Sequence, residues 1–438
     1  YRSIHKLEPA SLLILELGQR QMQPRVERYW NIGDHYAQDE LDAGRDEIAM
    51  QLTGLLERSV RQQMISDVPL GAFLSGGVDS SAVVALMQSQ SDRPVKTFSI
   101  GFQEEDYNEA GYAAAVARHL GTDHTDLYLQ ASDALDVVEC IPAIYDEPFA
   151  DSSQIPTYLV SKMAREHVTV ALSGDGGDEL FCGYQRYFDY VREWRRLQHG
   201  GSRPLLQQML LNAVPHAVLA TLAGFLLPGQ RAISTSALRD KLAQRAGVLS
   251  ASSLQDYYDG KLAYWTSPAS LVKGARAVST ALANSPAGKL IEDDYRQLML
   301  LDSISYLPDD IMAKVDRAAM ANSLETRIPF LNHTVVEFAA RIPSRMLTDG
   351  TTGKLVLRDI LYRYVPRELI ERPKAGFAVP VGSWLRTSLR DWASDLLGRE
   401  RLQAQGYFEA DVIAARLQDH LDGRADYSFQ LWGVLCFQ

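Results

Sequence analysis

The stretch Leu70-Gly71-Ala72-Phe73-Leu74-Ser75-Gly76-Gly77-Val78-Asp79-Ser80-Ser81 decides the fold of this chain of 438 residues. The apolar run from 68 to 74 predicts a β-strand, and the mainly apolar residues from 82 to 87 predict a helix. The glycines between them let backbone N–H groups close on an anion, which would then meet the N-terminus of the helix. We therefore predict a phosphate-binding loop. The alternative is a turn rich in serine and glycine ahead of an ordinary helix.

The loop has the chemistry of a pyrophosphate site. The chain has no GxxxxGKS or GxxxxGKT loop, the form that kinases and other nucleotide hydrolases use. It offers hydroxyl groups and the carboxylate of Asp79 instead, which suit a pyrophosphate that leaves with Mg²⁺. The sequence is similar to the SGGxDS signature of the pyrophosphate-loop ATP hydrolases, and this resemblance implies cleavage of ATP between its α and β phosphates.

Predicted strands alternate with helices along the first part of the chain. The strands are predicted at 68–74, 95–102, 124–129 and 168–172, and the helices between them at 82–87, 109–120 and 132–144. This alternation predicts an α/β fold with a parallel sheet flanked by helices. Ligands of such sheets bind beyond the C-terminal ends of the strands.

Other parts of the chain follow different patterns. Two short strands are predicted at 4–10 and 12–16, and additional helical regions at 191–290 and 292–438. The range 191–290 has no identifiable catalytic residue. The apolar stretch Leu205 to Leu227 is interrupted by polar residues and a proline, so we predict a buried or surface-docked helix and no membrane span.

Composition narrows the function and the compartment. The chain has 44 basic and 55 acidic residues and a net charge of −11, which argues against nucleic acid as a partner. Cys140, Cys182 and Cys436 are odd in number and form no CxxC pair, so neither a disulfide framework nor a zinc site is indicated. A cytoplasmic protein is expected.

A second glycine-rich loop, Ser173-Gly174-Asp175-Gly176-Gly177-Asp178-Glu179, follows the strand at 168–172. Its three acidic residues lie within five positions and repel one another unless a cation sits among them. Mg²⁺ on ATP phosphates is the natural counter-ion. A calcium loop is the alternative, but the DxDxDG order and the distal glutamate are missing. Loops at two strand ends can face one site.

Two further segments carry charges that could serve such a site. Helical spacing places Asp310, Lys314 and Arg317 on one face, either as part of a site or as a solvated salt-bridge face. Lys374 lies in the proline- and glycine-restrained loop Arg372-Pro373-Lys374-Ala375-Gly376-Phe377, where a point cation can be held against a polyphosphate.

Together, SGGVDSS, SGDGGDELF, YLPDD with KVDRAAMANSLETRIPFL, and RPKAGF resemble the synthetase domain of the glutamine-dependent asparagine synthetases, in that order along nearly the whole chain. The resemblance implies that ATP converts a carboxylate, most simply that of aspartate, into an acyl-adenylate with release of pyrophosphate. Ammonia then attacks, and AMP leaves. The implied products are asparagine, AMP and pyrophosphate.

The resemblance also implies roles for individual residues. Lys374 would stabilise charge on the α-phosphate, Asp175 would act as the base for the ammonium proton, and Asp79 with Asp178 would bind Mg²⁺. Ten residues would contact ATP or pyrophosphate: Leu74, Ser75, Gly76, Gly77, Asp79, Ser80, Ser81, Ile100, Ser173 and Gly174. The segment 145–153 would form a wall of the pocket for the carboxylate acceptor, with a bare acidic turn as the alternative. Asp175 is one carbon shorter than the glutamate of some family members, which bears on the reach of the base.

Within the same resemblance, residues 1–31 would be the end of an N-terminal glutaminase domain and 32–438 the ATP-pyrophosphatase domain. The cysteine nucleophile of such a glutaminase is not in these residues, so ammonia would come from a domain upstream of Tyr1. A homodimer is compatible with this picture. The alternative acceptors are a uronic acid of a surface polysaccharide, or a precursor closed to a β-lactam or a lasso peptide. A non-catalytic nucleotide sensor is disfavoured because Asp79, Asp175, Asp178 and Lys374 are all present.

Overall fold

The computed structural model describes residues 4–16, 24–102, 110–199, 235–265, 268, 271–276, 280, 282–283, 285–371 and 379–438. Two subjects of the sequence predictions, Lys374 with its loop and the apolar stretch 205–227, lie outside these residues. The strands are β1 Ser11–Ile14, β2 Arg25–Arg28, β3 Leu70–Phe73, β4 Lys96–Phe102, β5 Asp123–Leu129, β6 Val170–Leu172 and β7 Glu325–Arg327.

The helices of the first half are α1 Ile32–Tyr36, α2 Arg45–Gln63, α3 Val78–Gln88, α4 Ala110–Leu120, α5 Ala131–Val138, α6 Ile141–Tyr145, α7 Gln154–Arg165, α8 Gly177–Leu180 and α9 Gln185–His199. The next are α10 Thr235–Leu249, α11 Leu254–Leu262, α12 Ala287–Leu290, α13 Asp294–Ile304, a π-helix at Leu307–Met312 and α14 Ala313–Met320. A 3₁₀ turn at Pro329–Leu331 precedes α15 His333–Ala339, α16 Ser344–Leu347, α17 Leu355–Leu361, α18 Arg367–Ile370, α19 Val381–Arg386, α20 Arg390–Leu396, α21 Arg399–Gln405, α22 Ala410–Leu421 and α23 Ser428–Phe437.

Five strands form one parallel sheet in the order β5-β4-β3-β6-β7. At its centre Ala72 of β3 pairs with Thr97 of β4 on one side and Leu172 of β6 on the other. Helices cover both faces, so the α/β fold with a parallel sheet flanked by helices is confirmed. This architecture is consistent with an adenine nucleotide α-hydrolase-like fold.

The two faces of the sheet pack into separate apolar clusters, because successive side chains of a strand point in opposite directions. In β6, Leu172 joins the cluster that includes α2, α3 and α17, while Ala171 joins the cluster that includes α7 and the C-terminal helices. Burial on both faces explains why β6, at Val170–Leu172, is continuously apolar. Helix α3 begins shortly after the end of β3.

Three sequence predictions are corrected by the structure. The predicted helix 132–144 is two helices, α5 and α6, since Pro142 lacks an N–H group and occupies the first turn of a new helix. Residues 4–10 form no strand because Pro9 cannot donate and Ala10 adopts φ +56°, and β1 pairs instead with β2. The range 292–438 includes β7, whose three residues are too few to show a strand period.

A buried carboxylate joins three helices, α9, α11 and α13. Asp302 of α13 is fully buried and accepts hydrogen bonds from Tyr187 at 2.5 Å, Tyr258 at 2.6 Å and Arg186 at 2.5 Å. These donors come from α9 and α11, so three helices share one charge. None of the helices in the described part of the chain has both the length and the apolarity needed to cross a membrane.

Asp302→Ala should lower the free energy of unfolding by about 3 to 5 kcal/mol, because it leaves the Arg186 guanidinium without its buried partner. Asp294→Ala, at the start of the same helix, removes a partly exposed pair with Arg195 and should cost about 1 kcal/mol. Urea denaturation of both variants measures the difference. Equal losses would show that the buried carboxylate has no special role.

Candidate active site

The first glycine-rich loop wraps around its own hydroxyl groups. The Ser75 N–H donates to Ser80 Oγ at 3.1 Å, the two Oγ atoms lie 3.0 Å apart, and the Gly77 N–H donates to Ser75 Oγ at 3.3 Å. Gly76 has φ +73°, and a Cβ there would lie 2.9 Å from the backbone N of Ala113 in α4. The loop therefore needs glycine at that position, and it places the two hydroxyls at the N-terminus of α3. Ser81 lies deeper, fully buried.

The second glycine-rich loop touches the first. A Cβ on Gly174 would lie 2.6 Å from the Ser80 N, and one on Gly177 would lie 2.4 Å from Asp79 Oδ1. Only glycine permits this approach. The structure therefore brings together residues from the ends of β3 and β6 that are about a hundred positions apart in the sequence.

Lys354 joins the acidic residues of the two loops, and sequence reasoning did not identify it. Its ammonium group donates to Asp79 Oδ2 and lies 2.6 Å from Asp178 Oδ1. Lys354 is 4% exposed. Burial alone would lower the pKa of the lysine, but Asp178 and Asp79 raise it above its usual value, so the group stays charged.

The lysine reaches the two carboxylates because the surrounding backbone leaves room for it. A Cβ on Gly183 would lie 1.9 Å from Lys354 Cε and 2.1 Å from Asp178 Oδ1. The Lys354 N–H donates to the Phe181 carbonyl oxygen at 3.0 Å, which ties the start of α17 to the end of α8. A single Gly-Lys pair ahead of an apolar run gave no signal in the sequence.

A second buried lysine, Lys314, lies in another cluster of acidic groups. Its ammonium group donates to Asp151 Oδ2 and to Ser153 Oγ, both at 2.8 Å. Burial would lower its pKa, but Asp151, then Asp310 and Asp175, raise it. Burial and the neighbouring Asp151 raise the pKa of Asp310, so a proton resides on Asp310 more readily than on Asp151.

Asp175 interacts electrostatically with a member of each cluster, Asp178 and Lys314. Ser173 Oγ donates to Asp175 Oδ2 at 2.5 Å. Burial raises the pKa of Asp175 above its usual value, although the Ser173 hydrogen bond and Lys314 lower it. A carboxylate with a raised pKa is a better proton acceptor than an exposed one.

The predicted charged face of the helix at 307–320 divides. Asp310 and Lys314 face the buried cluster, while Arg317 is exposed and pairs with Asp146 at 3.2 Å. The predicted single face therefore does not include Arg317. Lys314 and Arg317 both lie in α14, where residues three positions apart are offset by about 60° around the helix axis, so only Lys314 faces the buried cluster.

The other predicted nucleotide contacts lie at the strand ends. Leu74 follows β3 and is held by a bond from its N–H to the Phe98 carbonyl oxygen at 2.8 Å; Ile100 lies in β4. Their side chains belong to the apolar clusters on opposite faces of the sheet. Ser173 is buried at the end of β6.

A divalent cation fits this donor set. Mg²⁺ in nucleotide sites takes one or two carboxylates together with phosphate oxygens. Asp79 and Asp178, which both pair with Lys354, would supply the two carboxylates. The described ranges contain no cluster of three or more His, Cys, Asp or Glu that could hold a metal ion by itself, so phosphate oxygens would have to complete the coordination.

Glu179, the third acid of the second loop, points away from Lys354. It is 1% exposed and accepts a hydrogen bond from the Tyr184 hydroxyl at 2.7 Å. Burial and the adjacent Asp178 raise the pKa of Glu179 to about 7. It is therefore a buried acid that titrates near neutral pH.

Glu179→Gln should gain stability relative to the native chain as pH rises from about 4.5 to about 7. In this window the folded native chain keeps the Glu179 proton while the unfolded chain releases it, so the native chain loses stability. The difference should reach up to about 3 kcal/mol at pH 8. Urea denaturation at several pH values measures it, and other titrating groups cancel in the comparison. A difference independent of pH would contradict the raised pKa.

Comparison with known proteins shows the family to which the chain belongs. The asparagine synthase family model matches residues 51–438. Asparagine synthetase [glutamine-hydrolyzing] 1 of Bacillus subtilis is 31% identical over 402 residues, which cover 90% of this chain and 59% of the relative. A putative asparagine synthetase [glutamine-hydrolyzing] of Mycobacterium tuberculosis is 32% identical over 448 aligned residues, 100% of this chain and 64% of the relative.

A shorter match is asparagine synthetase B [glutamine-hydrolyzing] of Escherichia coli, 32% identical over 197 residues, 40% of this chain and 35% of the relative. The chain spans about three fifths of the length of the first two relatives. The family model, by contrast, covers most of the chain, including both glycine-rich loops, Lys314 and Lys354. The chain belongs to the asparagine synthase family.

Proposed function

We propose that this chain is an ATP-dependent carbon–nitrogen ligase that forms an amide from a carboxylate and ammonia, with aspartate as the acceptor. The observation that carries the proposal is the meeting of the two glycine-rich loops, Asp79 and Asp178 at Lys354. The acceptor is suggested by the names of the relatives, asparagine synthetases that hydrolyse glutamine. Nothing in the described residues favours the alternative acceptors.

In this proposal the first loop holds the phosphates. The N–H groups at the start of α3 and the hydroxyls of Ser75 and Ser80 would bind the departing pyrophosphate. Asp79 and Asp178 would bind Mg²⁺, which supplies charge neutralisation for the phosphate oxygens. Lys354 keeps these carboxylates together before the nucleotide arrives and adds a positive charge close to the phosphates.

The proposed reaction has two steps, adenylation of the acceptor and attack by ammonia. An oxygen of the acceptor carboxylate attacks the α-phosphorus, the bond from that phosphorus to the bridging oxygen breaks, and pyrophosphate leaves. Ammonia then attacks the acyl carbon, the new nitrogen gives up a proton, and the bond to AMP breaks. Asp175, whose pKa is raised by burial, would take that proton.

The cluster around Lys314 would hold the acceptor. Lys314 is positive, and because the pKa of Asp310 is raised, Asp310 adds less negative charge than an ordinary aspartate. An incoming carboxylate therefore meets a cation with reduced repulsion. Asp151 and Ser153 of the 145–153 segment contact Lys314 directly, which supports that segment as a wall of the acceptor pocket.

The nitrogen source and the location in the cell are also part of the proposal. The names of the relatives include glutamine hydrolysis, which supports ammonia supply by a glutaminase domain upstream of Tyr1. We place the protein in the cytoplasm, with a homodimer as the proposed oligomeric state. Residues 1–31 and 32–438 remain the proposed division into domains.

With Mg²⁺, ATP, aspartate and ammonium chloride, the chain should form AMP and pyrophosphate in equal amounts, together with asparagine. The loop chemistry of Ser75 to Ser80, without a GxxxxGKS-type lysine, is the reason. Chromatography of the nucleotides and a pyrophosphate assay measure the products. Stoichiometric ADP would overturn the proposal, and amide formation with a uronic acid in place of aspartate would change the acceptor.

Lys374→Ala should lower kcat by about 10² to 10³ and change the KM for ATP much less, because a charge on the α-phosphate acts mainly in the transition state. Lys289→Ala, at an exposed lysine of α12, is the matched control and should leave both constants unchanged. Steady-state kinetics of pyrophosphate release separates the two effects. Near-normal turnover of the Lys374 variant would show that the lysine takes no part in the reaction.

A further inference from the structure

A cavity of about 390 Å³ lies between α9, the start of α13 and the turn at Gly350. None of its lining residues belongs to the two glycine-rich loops or to the Lys314 cluster. Its volume falls within the range of about 300 to 1,000 Å³ that sites for small organic ligands occupy. The proposed reaction has no use for it.

The walls of this cavity are apolar and partly aromatic. Phe188 and Val191 of α9 are almost completely buried and form the floor. Tyr295 stands against Phe188 edge to face, with ring centroids 6.1 Å apart. Flat apolar surfaces of this kind suit a planar ligand body, which can stack on a ring or lie along its edge.

The rim of the cavity is basic. Arg192, Arg195, Arg196 and His199 follow one another along α9 and all line the opening. Arg195 donates to Asp294 at 2.6 Å, and Arg192 lies 3.6 Å from Asp189 in an exposed pair. Arg196 and His199 form no hydrogen bond or ion pair with any residue that the structure describes.

This concentration of positive charge stands out in a chain whose net charge is −11. Solvated arginines on an apolar rim favour an anion, since a guanidinium binds a phosphate or a carboxylate through two parallel hydrogen bonds and also stacks on flat groups. A neutral apolar ligand would gain nothing from the rim, and a bare inorganic anion would gain nothing from the walls.

We propose that this cavity binds a small organic anion that has a planar apolar body and a phosphate or carboxylate group. The body would lie against the partly buried Tyr295 ring, and the anionic group would meet Arg192 and Arg196. The cavity also adjoins the turn that leads to Lys354: a Cβ on Gly353 would lie 3.1 Å from the Phe188 ring. A ligand would therefore sit beside the segment that carries the active-site lysine.

Isothermal titration calorimetry on the whole chain tests the proposal without any activity measurement. 2-Naphthyl phosphate and 2-naphthoate serve as probes with a phosphate and a carboxylate group, and inorganic phosphate and 2-naphthalenemethanol as probes that lack one half of the ligand. We expect saturable binding of one site per chain for at least one of the two complete probes, at least tenfold tighter than either half. The probe that binds better identifies the anionic group.

The variants assign that binding to the cavity. The double variant Arg192→Glu with Arg196→Glu should weaken it at least tenfold, as should Tyr295→Ser, which leaves the charges intact. Arg118→Glu, at an exposed arginine of α4, is the matched control and should bind as the native chain does. Both arginines of the double variant are exposed, so it decides the matter if the tyrosine variant fails to fold. No saturable binding of either complete probe, or binding that the double variant leaves unchanged, would overturn the proposal.

Discussion

The ammonium group of Lys354 lies between the carboxylates of Asp79 and Asp178, and the arrangement of the candidate active site depends on it. The two loops approach so closely that a Cβ at Gly174 or Gly177 would collide with the first loop. Two carboxylates brought together in this way repel strongly unless a cation lies between them. Removal of one member of such a buried set costs several kcal/mol, so the lysine, the two aspartates and the surrounding glycines act as one unit.

A lysine among buried acidic groups occurs a second time, and there the protonation of the acids differs. Lys314 also lies among buried acids, but there burial and Asp151 raise the pKa of Asp310. The first cluster pairs two carboxylates with one lysine, whereas the second favours a proton on Asp310. Asp175 borders the second cluster, where its electrostatic partner is Lys314. Two adjacent sites of different charge suit a reaction that joins a nucleotide to a carboxylate.

The fold could be predicted from sequence wherever its cause is local. The alternation of apolar strands and helices predicted the parallel sheet, and the glycine-rich loops after two strands were expected to face each other, as they do. Local sequence patterns did not predict elements that are very short or that form because of residues far away in the chain. β7 has three residues and forms because β6 offers it an edge. The π-helix at Leu307–Met312 interrupts the α-helical spacing ahead of Lys314, and no residue pattern predicts it.

Lys354 illustrates the same limit within the site. Its role depends on Asp79 and Asp178, which lie 275 and 176 positions earlier in the chain. A lone lysine after a glycine predicts nothing until the sheet topology places those three segments side by side. The acids of the second glycine-rich loop could be recognised from the sequence, because three of them within five residues require a nearby cation. The sequence suggested only a metal ion as that cation. The structure adds a cation from the protein itself.

The helical region, which has no identifiable catalytic residue, contributes to the site through packing. Asp302 holds Arg186, whose guanidinium lies 3.7 Å from the centre of the Tyr184 ring and 4.6 Å from that of Tyr306. Tyr184 donates to Glu179, the neighbour of Asp178, and Tyr306 precedes the π-helix that carries Asp310. One buried carboxylate thus holds an arginine that contacts a tyrosine next to each acidic segment. The helices α11 and α13 therefore connect the segment that contains Glu179 with the π-helix that carries Asp310.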